Sequence, residues 1–165
     1  MGNGSLVIAW GGFVLAIAGV LLTVYQAWRT QVHQRRSVRP LLQLRSGLPH
    51  GGTAALMLNN IGLGPAVLVS TQLFLDDELI GGIDRDSVNR LRARLETRPS
   101  ATTFVPGEAI GKDASVALLS LPNYDRESNS EFADLILSRL RIEIDYESFY
   151  GGENFRSSWP RFGAT

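Results

Sequence analysis

The chain has 165 residues, 44% of them hydrophobic, with sixteen basic and sixteen acidic side chains and no cysteine. Without thiols there are no disulfides, no thiolate metal sites and no thiol nucleophile. Residues 1–75 carry five arginines and no acid, whereas residues 76–165 carry all sixteen acids against eleven bases. Basic side chains that gather ahead of the body rather than on it argue against a nucleic-acid partner.

The first charged residue of any kind is Arg29, and the stretch from Leu6 to Tyr25 reads LVIAWGGFVLAIAGVLLTVY. Twenty such residues in a helix span roughly 30 Å, the thickness of a bilayer core. The expectation is one N-terminal transmembrane helix, with residues 1–28 as anchor and a span of about 6–25, on which the lipid bilayer is the first partner. A cleaved signal is disfavoured because MGNGS lacks a basic side chain and YQAWRTQ is a poor cleavage site. Arg29, Arg35, Arg36 and Arg39 form a basic collar on the C-terminal flank, across a juxtamembrane stem of residues 29–39. By the positive-inside rule this places the N-terminus outside and the following domain at the cytoplasmic face of the inner (plasma) membrane. Gly12, Ala16 and Gly19 share one helix face at i, i+4, i+7, a candidate packing stripe for a homo-oligomer.

Residues 40–160 read as one mainly β body, with 161–165 as a tail. Pro40–Leu48 and Thr53–Ile61 predict the first two strands, separated by the loop PHGG, and Ala66–Leu75 predicts a long third strand. Between the second and third lies NNIGLGPA. Its Gly62-x-Gly64 leads into a strand rather than a helix, so it is a corner and not a phosphate-cradling loop. Asn60, Gly62, Gly64 and Pro65 are the structural-turn residues, read as tolerating left-handed backbone and then fixing φ. Asp76-Asp77-Glu78 predicts a hairpin back through LIGG.

DRDSVNRLRARLETRP predicts an amphipathic helix, with Asp84 or Asp86 as cap, Val88, Leu91 and Leu95 inward, and Pro99 as the stop. Arg85, Arg90, Arg92, Arg94 and Arg98 dominate its exposed face; an anion or headgroup surface competes there with an ordinary solvated face. A strand over Ala101–Val105 follows, then a short strand, a hairpin turn at Gly111-Lys112-Asp113 and a further strand. Ser128-x-x-Glu131 has capping-box spacing before FADLILSRL, whose Phe132, Leu135, Ile136 and Leu140 form an apolar face. Ile142, Ile144 and Tyr146 alternate with Glu143, Asp145 and Glu147, which predicts a strand with one buried and one solvated face. GGENFRSSWP closes the body, with Trp159 against the core.

The pattern L-x-N-x-G-x-G-P-A, followed by a strand that ends at an acidic turn, resembles the second and third strands of immunoglobulin-like sandwich domains. The chain is also similar to uncharacterised bacterial single-pass membrane proteins that carry an N-terminal helix, a basic stem, an R-P-x-L strand and N-x-G-x-G-P-A. Arg39, Pro40, Leu42, Asn60 or Asn59, Gly62, Gly64, Pro65 and Ala66 carry this resemblance. It implies an immunoglobulin-like β-sandwich with one or two short helices and supplies no catalytic residue.

The function expected on these grounds is a membrane-anchored, non-enzymatic module that binds an unidentified protein partner or senses a signal, without cofactor, metal or catalytic residues. The alternatives are a self-associating membrane effector that perturbs the bilayer through its helix, and an enzyme. His50, in the PHGG loop, lacks an acid or Ser at motif spacing; an enzyme would need it joined to both.

Overall fold

The computed structural model describes residues 16–27, 29 and 39–160. The chain divides into two units, Met1–Ser37 and Val38–Thr165. In the first, residues 16–27 are helical (α1) and exposed.

The transmembrane expectation is corrected here. Among the described residues no helix is long and apolar enough to cross a membrane. Residues 6–15 of the expected span, and with them Gly12 of its packing stripe, lie outside the described residues, as do Arg35 and Arg36.

The second unit is mainly β, as expected. Its strands are β1 (Leu42–Gly47), β2 (Ala54–Asn60), β3 (Ala66–Leu75), β4 (Glu78–Gly81), β5 (Ser100–Ala101), β6 (Ala109–Ile110), β7 (Ser115–Leu121), β8 (Leu140–Ser148) and β9 (Asn154–Trp159). Helix α2 (Arg85–Ala93) lies between β4 and β5, and α3 (Ser130–Asp134) runs into a π-helical turn, Leu135–Arg139, before β8. One sheet has the order β1-β2-β7-β5; the other has the order β4-β3-β8-β9, with β6 also on β3. Every pairing is antiparallel. The inward residues of both sheets meet in one core, for example Leu44, Leu56, Leu58 and Leu118 from the first and Leu68, Leu73, Ile142 and Ile144 from the second. Leu91 of α2 and Phe132, Leu135 and Ile136 join the same cluster. The Tyr146 hydroxyl accepts the Leu42 amide at 3.2 Å, tying β8 to the start of β1.

Local chemistry accounts for most of these elements. Strand β8 buries every second residue because its apolar positions alternate. Asp76 and Asp77 both take positive φ, 51° and 63°, giving the primed two-residue turn whose twist suits a hairpin. Asp84 caps α2 by accepting the Asp86 and Ser87 amides, while Val88 and Leu91 turn inward.

Several local expectations are corrected. The fifth strand is Ser100–Ala101 rather than Ala101–Val105, because the Phe104 amide leaves the sheet for the Ile83 carbonyl at 2.8 Å. The turn at Gly111-Lys112-Asp113 is not a hairpin: β6 pairs with β3 and β7 with β2, so the turn carries the chain from one sheet to the other. The capping box does not form. Asn129 is the N-cap of α3 with no side-chain cap bond, Ser128 Oγ donates to Asp125 instead, and Glu131 accepts the Glu96 and Thr97 amides.

The corner 60–65 does join two strands, and it also crosses between sheets. Its glycine is needed for a different reason than expected. Gly62 has no positive φ; a Cβ there would fall on the Leu41 amide nitrogen and lie 2.6 Å from the Pro40 carbonyl carbon. The residue permits close backbone approach, sealed by Ile61 N–Leu41 O and Leu63 N–Arg39 O bonds of 2.9 Å. Asn60 is the hub, 1% exposed. Its Oδ1 accepts the Leu41 and Gly62 amides at 3.3 and 3.1 Å. Its Nδ2 donates towards the carbonyls of Gly64, Ile110 and Gly111 at 2.8, 3.0 and 3.1 Å. The resemblance left Asn59 and Asn60 open; Asn60 is the buried one, and Asn59 accepts the Ser115 hydroxyl on the outer face.

Candidate functional site

Three places in the second unit hold chemistry-bearing side chains. The outer face of β8 is the first. Glu143, Asp145 and Glu147 line it as the alternation predicts, but the face is less solvated than expected. Arg156 of β9 forks onto Asp145 at 2.6 and 3.0 Å, and Ser70 of β3 donates to the same carboxylate at 2.9 Å. The Arg156 fork, with help from Ser70, holds the Asp145 carboxyl below its ordinary pKa. Arg141 pairs with Glu143 and lies 3.6 Å over the Phe74 ring. Glu143 and Asp145 are thus spent on arginines and a cross-strand hydroxyl.

The second place is the loop at His50. The structure does bring it to an acid and a serine: Nδ1 lies 3.2 Å from Asp125 Oδ1, and Ser128 Oγ donates to Asp125 Oδ2 at 2.7 Å. The order is wrong for nucleophile activation, which needs the hydroxyl on the imidazole and the carboxylate behind it. Here the carboxylate sits between the two and itself accepts the hydroxyl's hydrogen bond. The Ser128 hydroxyl and amide lower the Asp125 pKa, and the His50 side chain is 78% exposed. The group is a turn brace.

The third place is the groove between α2 and the segment 98–103. It consists of two adjoining hollows that share Asn89 and Arg92. The larger, about 460 Å³, is also lined by Ala93, Arg98, Pro99 and Ser100. The smaller, about 340 Å³, adds Arg85, Val88, Ala101 and Thr103. Helical geometry explains the lining: residues 85, 88, 89 and 92 fall within one arc of α2, beside the Val88–Leu91 face that anchors the helix in the core. Arg92 Nε donates to the Pro99 carbonyl at 2.9 Å and so holds the far wall against the helix.

The five arginines expected on this exposed face separate into two groups. Arg94 forks onto Glu78 at 2.6 and 3.1 Å, and Arg90 donates to Ser87 Oγ; both point away from the groove. Arg85, Arg92 and Arg98 line it without an acidic partner among the described residues. Among the described residues neither hollow has an acidic lining residue. The sequence reading missed Asn89, Ser100 and Thr103; the 85–89–92 spacing carried the signal for Asn89, but nothing local announced that 100 and 103 would face it.

Of the expected site residues in the first unit, Ala16 and Gly19 lie on α1, and a Cβ at Gly19 would meet nothing within 4 Å. Arg29 is exposed. Arg39, expected to face lipid headgroups, pairs with Glu153 of its own unit at 2.8 Å. No group of three or more His, Asp or Glu suited to a metal occurs among the described residues.

No protein-family model matches the chain, and no curated protein matches it.

Proposed function

We propose that this protein is a non-enzymatic sensing module whose two-sheet body, read as a sandwich scaffold, presents the α2 groove as its recognition surface. The observation that carries the reading is the division of its arginines. Arg139, Arg141 and Arg156 are each matched to a carboxylate, while Arg85, Arg92 and Arg98 line two adjoining open hollows that no acid lines among the described residues. A cluster of like charges on one face repels itself, and a ligand of opposite charge relieves that cost. The groove is of the size that small-ligand sites occupy. The His50–Asp125–Ser128 order favours this reading over hydrolysis.

The test is site-specific photo-crosslinking in cells. A crosslinking amino acid in place of Asn89 is expected to give a discrete adduct, protein or small molecule, read by intact mass. The same group in place of Arg45, exposed on β1, is expected to give none. Identical adducts at both positions, or none at Asn89, overturn the reading.

A further inference from the structure

The lining of the groove defines a ligand class, an inference that rests on the groove being the recognition surface. Arg85, Arg92 and Arg98 supply guanidinium donors, Asn89 an amide, and Ser100 and Thr103 hydroxyls. The side chains of Arg85, Arg98, Asn89, Ser100 and Thr103 make no hydrogen bond or ion pair among the described residues. This is a donor-rich surface for an oxyanion with several acceptor oxygens. A carboxylate offers two oxygens and one charge, which a single arginine fork satisfies. A phosphate monoester offers three terminal oxygens and nearly two charges.

Arg85 adds an independent argument. It is the first residue of α2, where the helix dipole is positive and a cation is disfavoured. Asp84, whose carboxylate caps the first turn through the Asp86 and Ser87 amides and the Ser87 hydroxyl, relieves part of that cost but makes no ion pair with Arg85. Arg92, in the last turn, suits the dipole on its own account; Arg85 does not. The two hollows meet at Asn89 and Arg92, so one anionic group in each would be bridged by residues common to both.

We propose that the groove between α2 and residues 98–103 binds a phosphorylated small molecule, with Arg85 and Arg98 each engaging phosphoryl oxygens and Arg92 serving both lobes. The phosphoryl group comes either from a free diphosphate or from a lipid headgroup.

The test is calorimetric titration of the full chain with pyrophosphate, in parallel with flotation on phosphatidylcholine vesicles with and without phosphatidic acid. Pyrophosphate binding that weakens with added salt, and weakens about tenfold in Arg85→Ala and in Arg98→Ala, supports the proposal. Arg45→Ala is expected to leave binding unchanged. Arg98→Lys keeps the charge without the planar fork and is expected to fall between. Binding to phosphatidic acid vesicles alone, lost in the same variants, also supports it and identifies the headgroup as the source. Thermal unfolding of each variant, matching the parent, separates lost contacts from lost fold. No pyrophosphate or phosphatidic acid binding, or equal binding by Arg85→Ala and Arg98→Ala, overturns the proposal. Binding of a phosphopeptide but of neither probe overturns the ligand class. The Asn89 crosslink, read separately, distinguishes that outcome from failure of the groove itself.

Discussion

Asn60→Ala is the sharpest stability test of the fold. The side chain is buried and satisfies two amides and three carbonyls, drawn from four segments: the entry to β1, the corner, β6 and the turn after it. A net hydrogen bond contributes about 1 kcal/mol, and a buried group left unpaired costs about 1–3 kcal/mol. The Leu41 amide is near solvent and can take a water, whereas the Ile110 and Gly64 carbonyls are enclosed. The expected loss is therefore about 3 kcal/mol, a fall in Tm of about 10 °C for a body of this size. Asn60→Asp separates hydrogen bonding from volume. It keeps the acceptor and the shape but aims a carboxylate at three carbonyl oxygens, which costs more than truncation. The introduced carboxyl would have its folded pKa raised above its unfolded value. Its penalty is therefore smallest below the unfolded pKa, grows as pH rises through the folded pKa, and is complete at neutral pH. Urea unfolding of the three proteins across this range is the assay. Asn60→Asp as stable as the parent at neutral pH, or Asn60→Ala within about 0.5 kcal/mol of it, would refute the hub argument.

Two further predictions concern the loops. Asp77 holds φ at 63° in the turn between β3 and β4, a conformation that costs a non-glycine residue. Asp77→Gly gives the preferred Asp-Gly pair and is expected to raise Tm by about 3 °C, since its contact with Arg141 is exposed and long; a fall in Tm would contradict the turn assignment. The second concerns Glu131, whose pKa is lowered chiefly by the Thr97 amide. A depressed carboxyl stabilises the fold fully above its unfolded pKa and loses that contribution as pH falls through the folded value. The advantage of the parent over Glu131→Gln should shrink on acidification, and a pH-independent difference in denaturant unfolding would count against it.

The strands were legible because their signals are local. The β8 alternation, the β3 bounds and the Asp84 cap each depend on a few consecutive residues whose side-chain period matches one element. What failed was set by partners far along the chain. Glu131 has capping-box spacing, but the Glu96 and Thr97 amides compete for it. Gly111-Lys112-Asp113 has hairpin chemistry, yet its two flanking strands belong to different sheets. Gly62 reads as a turn glycine; its neighbours in space, Pro40 and Leu41, are about twenty residues earlier, and their approach decides the residue. The N-terminal stretch shows the converse: apolar length alone predicted a span that the described helix does not provide.

The candidate groove was half legible for the same reason. Helical periodicity put Arg85, Asn89 and Arg92 on one arc, but it could not say which of the five arginines would find acids. Arg94 is matched because Glu78 on β4 lies beside it, and β4 is there because Asp76-Asp77 turns β3 back on itself. The hairpin thus removes one charge from the set, while Pro99 and the short β5 bring Arg98 onto the other side of α2. Whether a basic face is merely solvated or is a site depends on this sorting. Charge count treats the five arginines alike; topology leaves three of them lining the two hollows, and of these Arg85 and Arg98, which make no hydrogen bond within the fold, are the ones whose substitution should change binding without changing the fold.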